Sequence, residues 1–309
     1  MSPAARPARH ALSTHGRDGL AGTLARIARL GDGYELQARP IADGWLSAEE
    51  LVHGGAGFER IVERLGPHIT DPAARRAIGS QLVLLYLRFL WPVVAAFTLE
   101  RRVPDVAAAN LLVRLDDEGW PSAFAIAEPR FAVLQNDPAA KDASFVARDE
   151  AELLRWLHQR AIDANAAPLI EAVRRRLLTS GTALWGNVAA AFAHPLLWHV
   201  QHLAPDSSAV VRDAEALLGR DEAPRLNDQV RLLRVVKGDE EWVVHARRTC
   251  CLRWCLPGEQ RCDDCPLVRE PLASEFLGER LAEAIARGEV LRQELGLPPR
   301  RRDGGLESA

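Results

Sequence analysis

Residues 71–100 read DPAARRAIGSQLVLLYLRFLWPVVAAFTLE. Asp71 offers an N-cap oxygen and Pro72 a pre-set φ at the first helical position, so the segment opens as a long helix. Its apolar heart, Leu82–Phe97, is interrupted by Arg88 and Pro92. An uninterrupted apolar run of eighteen or so residues is what a bilayer requires. This run falls short and is read as a buried core helix, kinked at Pro92 and ending about Glu100. A helix of this kind needs a helical body around it.

The flanking sequence supplies that body. Ser47 followed by Glu50 has the form of a capping box opening a helix to about Leu65. Asp149 opens a second helical region, in which Leu153, Leu154, Leu157, Ile162, Leu169, Ile170, Val173 and Leu177 keep helical spacing. Gly181 interrupts it. The next helix covers about Thr182–Leu203, with Gly186 inside it where close packing is expected, and another covers Ser207–Leu218. Between the two regions Leu111–Leu115 and Ala123–Ala127 favour strand across the turn Asp116-Asp117-Glu118-Gly119, with Phe131–Leu134 as a third strand. Leu232–Val236 and Glu241–Ala246 flank Lys237-Gly238-Asp239 as a hairpin, and a closing helix runs about Ala273–Leu295.

The expected fold class is therefore α+β and mostly helical, with a small β-containing region and a C-terminal cysteine-rich lobe. The expected division is a disordered tail over 1–20, a helical body over 21–225 with its β section near 110–135, a hairpin, metal lobe and closing helix over 226–296, and a second tail over 297–309. Apolar residues make up 48% of the 309, enough for a substantial core, and the net charge of −3 gives no global basic field for nucleic acid. Neither a signal peptide nor an integral membrane segment is read in the chain, and the expected location is the cytoplasm.

All five cysteines, Cys250, Cys251, Cys255, Cys262 and Cys265, fall within sixteen residues. A disulfide framework would spread them to tie distant segments together. Crowding them instead suggests a local site for a soft metal. The spacing C-C-x10-C-x2-C places Cys262 and Cys265 where one turn of chain can present two thiolates, and Pro257-Gly258 can fold the halves together. Four thiolates suit zinc, a [2Fe–2S] or a [4Fe–4S] cluster. The adjacent pair Cys250-Cys251 converges on one zinc ion with difficulty, and a larger cluster relaxes that demand.

In the context Arg247-Arg248-Thr249-Cys250-Cys251-Leu252 and Leu256-Pro257-Gly258, this pattern resembles the ferric-siderophore reductase family typified by FhuF. The stretch Leu184-Trp185-Gly186-Asn187-Val188-Ala189 resembles the family's central helix, and the likeness covers about Trp45–Leu295. The resemblance implies a [2Fe–2S] cluster on Cys250, Cys251, Cys262 and Cys265, one-electron reduction of a ferric siderophore of hydroxamate or catecholate type, and a role in iron acquisition. Cys255 lies outside the pattern. Arg247, Arg248, Arg253 and Arg261 are candidates for tuning the cluster or attracting an anionic iron complex, against the alternative that they balance Glu259, Asp263 and Asp264 on a wet surface. Trp185 and Asn187 are candidates for a substrate groove, or for a core tryptophan beside a hydrogen-bonded asparagine. His194, His199 and His202 lack a carboxylate neighbour that would make them a metal site, and His245 suggests a Rieske-like substitution that four cysteines make unnecessary. No Gly-rich phosphate loop appears, so the electron is expected from a separate donor such as a ferredoxin or reductase. Two other classes compete: a binding protein with a structural four-cysteine zinc knot, and an iron–sulfur carrier or sensor without a siderophore site.

Overall fold

The computed structural model describes residues 18–38, 44–66, 70–203, 207–219, 225–237, 240–262, 265–267 and 272–297. Most of both expected tails, together with Gly238, Asp239, Asp263 and Asp264, lie outside them. The first described element is a helix, α1 (Gly19–Ala28), which enters the stretch expected to be tail. Its buried residues Leu20, Thr23, Leu24 and Ile27 recur at helical spacing.

Two short strands, β1 (Gln37–Ala38) and β2 (Leu46–Ser47), precede α2 (Ala48–Val52) and α3 (Ala56–Arg64). Ser47 does cap, its hydroxyl accepting from the Glu49 N–H at 3.3 Å. The expected single helix to Leu65 is broken, however, at His53-Gly54-Gly55, where Gly54 adopts φ +72°.

Asp71 caps α4 (Pro72–Tyr86) by accepting from the Ala73 and Ala74 N–H groups at 3.3 and 2.9 Å. A 3₁₀ turn over Leu87–Phe89 separates it from α5 (Leu90–Glu100). The irregularity thus falls one turn before Pro92. Pro92 sits in the first turn of α5, where its missing N–H leaves no bond unmade. By length and composition alone Pro72–Glu100 can cross a membrane, but 78% of its most apolar window is buried inside the protein. It is the core helix, as the sequence suggests.

The strands β3 (Arg102–Pro104), β4 (Leu111–Leu115), β5 (Pro121–Ile126), β6 (Phe131–Leu134) and β7 (Phe145–Ala147) form two small sheets. One has the order β1-β5-β4-β2, in which β4 and β5 pair antiparallel around a turn closed by Gly119 at φ +96°. The other has the order β3-β6-β7, so Phe131–Leu134 is a strand of the second sheet rather than a third member of the first.

Asp149 caps α6 (Glu150–His158), which runs through a π segment, Gln159–Ala166, into α7 (Ala167–Leu177). The wide turn carries Asn165, which accepts from the Tyr86 hydroxyl at 2.5 Å and donates to the Val106 carbonyl at 2.6 Å. Then come α8 (Gly181–Pro195), a π turn Leu196–Val200, α9 (Gln201–Leu203) and α10 (Ser207–Leu217). The hairpin β8 (Val230–Lys237) and β9 (Glu240–Arg247) pairs Lys237 with Glu240, and the long closing helix is α11 (Leu272–Glu294). Trp198 of the π turn packs with Trp242 and Val244 of β9 and Leu281 and Ala284 of α11, so hairpin and closing helix share an apolar cluster with the body's chain.

The end of α5 is held by a buried charge network. Glu100, its side chain 2% exposed, accepts from Arg26 Nε at 2.7 Å, Arg26 Nη2 at 2.9 Å and the Thr23 hydroxyl at 2.7 Å. Arg102, fully buried, donates to Thr23 and, twice at 2.9 Å, to Asp137. Truncating one partner strands buried charge, so Glu100→Ala is expected to lower unfolding stability by about 3–5 kcal/mol in urea titration. A loss below about 1 kcal/mol, the size of an exposed pair, would mean the network does not anchor α1.

Candidate metal centre

The chain leaves β9 at Arg247, and three groups fix the segment beyond it. Asn187, fully buried on α8, donates to the Ser80 carbonyl and hydroxyl of α4 at 2.9 and 3.0 Å and accepts from Arg247 Nη2. Gln81 of α4 donates to the Cys251 carbonyl at 2.8 Å. Gly186 of α8 lies against Thr249 so closely that a Cβ there would sit 1.7 Å from the threonine hydroxyl. The glycine expected to mark close packing marks the seat of the cysteine segment.

Leu252 then turns the chain at φ +61° and its N–H donates to Cys250 Sγ at 3.3 Å. One 3₁₀ turn, Arg253–Cys255, leads to the Pro257-Gly258 turn, with Gly258 at φ +77°. This turn returns the chain so that Cys262 Sγ lies 3.4 Å from Cys251 Sγ. The Cys265 N–H donates to the Cys262 carbonyl at 3.0 Å. All five cysteines are free thiols, with Cys251 and Cys265 buried.

Two thiolates bound at about 2.3 Å to one tetrahedral metal are separated by about 3.8 Å, so the Cys251–Cys262 pair is close to bonding range for a shared ion. Burial pushes the Cys250 thiol up; the Leu252 N–H and Trp254 side chain draw it back, and the neighbouring Cys265 and Cys251 sulfurs push it up again. Burial also raises Cys255, helped by Cys250, while Arg76 opposes. Among the described residues, no group of three or more His, Cys, Asp or Glu is placed to hold a metal ion. Four thiolates in one segment are a donor set that zinc or an iron–sulfur cluster takes, and Cys251 and Cys262 are the two whose sulfurs lie closest.

Cys251 and Cys262 both line a cavity of 930 Å³ formed by α3, α4, α8, the cysteine segment and α11. Of the sequence candidates, Arg247 and Arg253 reach it. Arg253 is held by Glu259 at 2.6 Å. Arg261 lies over Trp254 at 5.7 Å and lines a smaller, more open hollow beside Cys262. Arg248 approaches Asp228 at 3.9 Å. Trp185 lies under Arg225 at 5.1 Å and Asn187 holds Arg247, so these two act as packing and positioning groups rather than as cavity wall. Trp254 is 43% exposed.

The cavity also contains residues that the sequence did not single out as site residues: Arg64, Arg88, Trp91 and Arg280. His194 and His245 line it too. Trp91 stacks on His194 at 4.8 Å, and His194 lies 5.3 and 5.7 Å from His199 and His245 by ring centre. His245 Nδ1 accepts from the Trp198 indole at 3.0 Å, and His199 Nδ1 shares a 2.8 Å hydrogen bond with the Tyr34 hydroxyl. His202 turns away to stack on Trp242 at 4.4 Å.

Burial, followed by His245 and His199, holds His194 well below the ordinary imidazole range. Burial and then Arg287 and Arg280 bring His199 down to about 4. An unfolded imidazole titrates near 6.5, so between these values the unfolded chain binds the extra proton and the native one does not. Stability contributed by His199 is present above about pH 6.5 and is lost as pH falls toward 4. Chemical denaturation at pH 5 should therefore show about 2 kcal/mol less stability from this group than at pH 7, and His199→Gln should flatten that slope. An identical slope in the variant would assign the acid sensitivity elsewhere.

Fold and site together define a mostly helical α+β protein that presents cysteines to a large basic cavity. The family model described as ferric iron reductase FhuF-like transporter matches residues 82–239, about half of the chain, and the protein belongs to that family. No curated protein matches it. The matched region ends before Cys250, so the cysteine motif stands on its own chemistry.

Proposed function

We propose that this protein is a cytoplasmic ferric-siderophore reductase that holds a [2Fe–2S] cluster on Cys250, Cys251, Cys262 and Cys265 and receives electrons from a separate ferredoxin or reductase. The family description carries the ferric reductase part. One observation carries the rest: the close Cys251–Cys262 sulfur pair lines the same 930 Å³ cavity that a bulky iron complex needs. When bound, a [2Fe–2S] cluster supplies single electrons at a potential set by charge, hydrogen bonds and solvent exposure.

The protein's own residues position and tune the site. Gln81, Asn187 and the bare backbone at Gly186 hold the cysteine segment against the body. The Leu252 N–H directed at Cys250 and the guanidinium of Arg253, within electrostatic reach of Cys251 and Cys262, favour negative charge on sulfur. In this reading the acceptor would sit in the cavity that Cys251 and Cys262 line. Hard oxygen donors hold Fe³⁺ tightly and Fe²⁺ weakly, so one electron suffices to release the metal, without a nucleophile or general acid.

The test is a single turnover. Anaerobically reduced protein mixed with a ferric siderophore should reoxidise while an Fe²⁺ chelator develops colour in equal amount. Reoxidation by ferricyanide but by no iron(III) chelate would instead support a carrier or sensor, and a colourless protein containing zinc would support the structural knot.

A further inference from the structure

The chain has two tyrosines, Tyr34 and Tyr86, and their surroundings differ. Tyr86 donates to the Asn165 amide oxygen, which is no base, and its ring neighbours are Phe89 and Phe124. Tyr34 is 1% exposed, and its hydroxyl oxygen lies 2.8 Å from His199 Nδ1 and 3.4 Å from the Pro195 carbonyl. Its ring centre is 5.9 Å from that of Trp91, which lines the 930 Å³ cavity together with Cys251 and Cys262. The chain is shaped for this approach: Gly33, at φ +89°, comes so near that a Cβ there would sit 3.0 Å from the indole ring. A phenol beside a base, one ring away from the cavity, sets Tyr34 apart from Tyr86.

Indole and phenol rings give up single electrons readily, and packed rings pass them on. Trp91 is covered by Arg88 at 5.5 Å and by His194 at 4.8 Å, which hinders attack on the ring by an oxygen radical but not the loss of an electron from it. The Arg88 cation also disfavours positive charge resting on the indole, so a hole formed there is driven onward. Burial holds the Tyr34 phenol un-ionised, well above its ordinary range, so its proton leaves only when an electron does. A phenol that has lost an electron is a far stronger acid than an imidazolium. His199 therefore takes that proton even though burial, Arg287 and Arg280 bring it down to about 4.

We propose that Trp91, Tyr34 and His199 form a one-electron path that draws oxidising equivalents out of the cavity and spares the cysteines there. The need for it rests on the reductase reading, in which Fe²⁺ is released beside Cys251 and Cys262, whose thiols oxidise in steps that become irreversible. Fe²⁺ and hydrogen peroxide give Fe³⁺, hydroxide and a hydroxyl radical. The radical takes one electron from Trp91 and becomes hydroxide. Tyr34 refills Trp91, its O–H bond breaking as an N–H bond forms at His199 Nδ1, with His199 in the tautomer that carries its other proton on Nε2. A small-molecule thiolate then returns one electron by way of Trp91, becoming a thiyl radical, and the proton goes back from His199 to the phenol oxygen.

The path is read first without any siderophore. Azide radical, generated by pulse radiolysis, takes single electrons from tryptophans. In the full-length protein the indole-radical absorbance should decay as phenoxyl absorbance rises. Tyr34→Phe should lose that rise and Tyr86→Phe should keep it, while Trp91→Phe and His199→Gln should each suppress it. No phenoxyl rise in the unmodified protein would overturn the inference without any variant having to fold, and so would a rise that survives Tyr34→Phe or Trp91→Phe. The protective role is read during reduction of a ferric siderophore with hydrogen peroxide and a small thiol present. Tyr34→Phe should start at the unmodified rate and lose turnover several-fold sooner; equal survival would overturn that role. If Tyr34 yields its radical but no ferric chelate is reduced, the reductase reading fails alone. If ferric chelate is reduced but no phenoxyl radical forms, the path fails alone.

Discussion

Cys251→Ser is expected to remove the visible chromophore and nearly all bound iron and sulfide while leaving the protein folded. Serine is close to cysteine in size, and the Cys251 carbonyl keeps its bond from Gln81, so the cost in stability should be small, on the order of 1 kcal/mol. A hydroxyl is a poor ligand for an iron that asks for soft thiolates, so the metal should go. Cys255→Ser makes the paired control. Cys255 is outside the motif, so its replacement should leave iron content and spectrum intact. Full iron and sulfide in Cys251→Ser, or their loss in Cys255→Ser, would show the ligand set to be wrongly assigned.

Gly186→Ala should have the second largest effect, and it acts from a different helix. Glycine inside α8 costs about 1 kcal/mol of helix propensity, so on local grounds alanine should stabilise. The packing argues the reverse. The new methyl would meet Thr249 Oγ1 at 1.7 Å and its Cβ at 2.9 Å, so rotating the hydroxyl away does not relieve the clash and the residue before Cys250 must move. Overpacking of this kind costs about 1–3 kcal/mol. Thermal unfolding should shift down and metal content should fall together. Adding Thr249→Gly removes the opposing Cβ and should restore both, a coupling that a double-mutant cycle measures. If Gly186→Ala raises stability with metal content unchanged, α8 does not seat the cysteine segment.

Local chemistry made much of the fold readable. The caps at Ser47, Asp71 and Asp149, the paired strands β8 and β9 and the closing helix all arise from residues acting on their immediate neighbours, and the structure places these caps and elements there. The 3₁₀ turn at Leu87–Phe89 was not readable, because each residue there favours helix and Pro92 advertises a kink a turn too late. The π segment at Gln159–Ala166 has no glycine or proline to announce it. Asn165 bonds to Tyr86 and Val106, more than fifty residues away, and those bonds accompany the widened turn. The helix α1 carried a signal in Leu20, Leu24 and Ile27 that the polar N-terminal stretch before it obscured.

The site divides the same way. The crowded cysteines are legible because they lie within sixteen residues. The cavity beside them is not, because Arg64, Arg88, His194, His245 and Arg280 come from separate elements that only the fold brings together. Arg88 was the one available hint: a charge inside an apolar core helix must find a polar destination, and here it faces the cavity.

The central claim is that thiolates of one short segment share a pair of irons. Anaerobically purified protein should be red-brown, contain two irons and two sulfides per chain as [2Fe–2S] stoichiometry requires, and give a rhombic S = 1/2 spin-resonance signal only after one-electron reduction. A colourless, spin-silent protein with one zinc per chain would contradict the account.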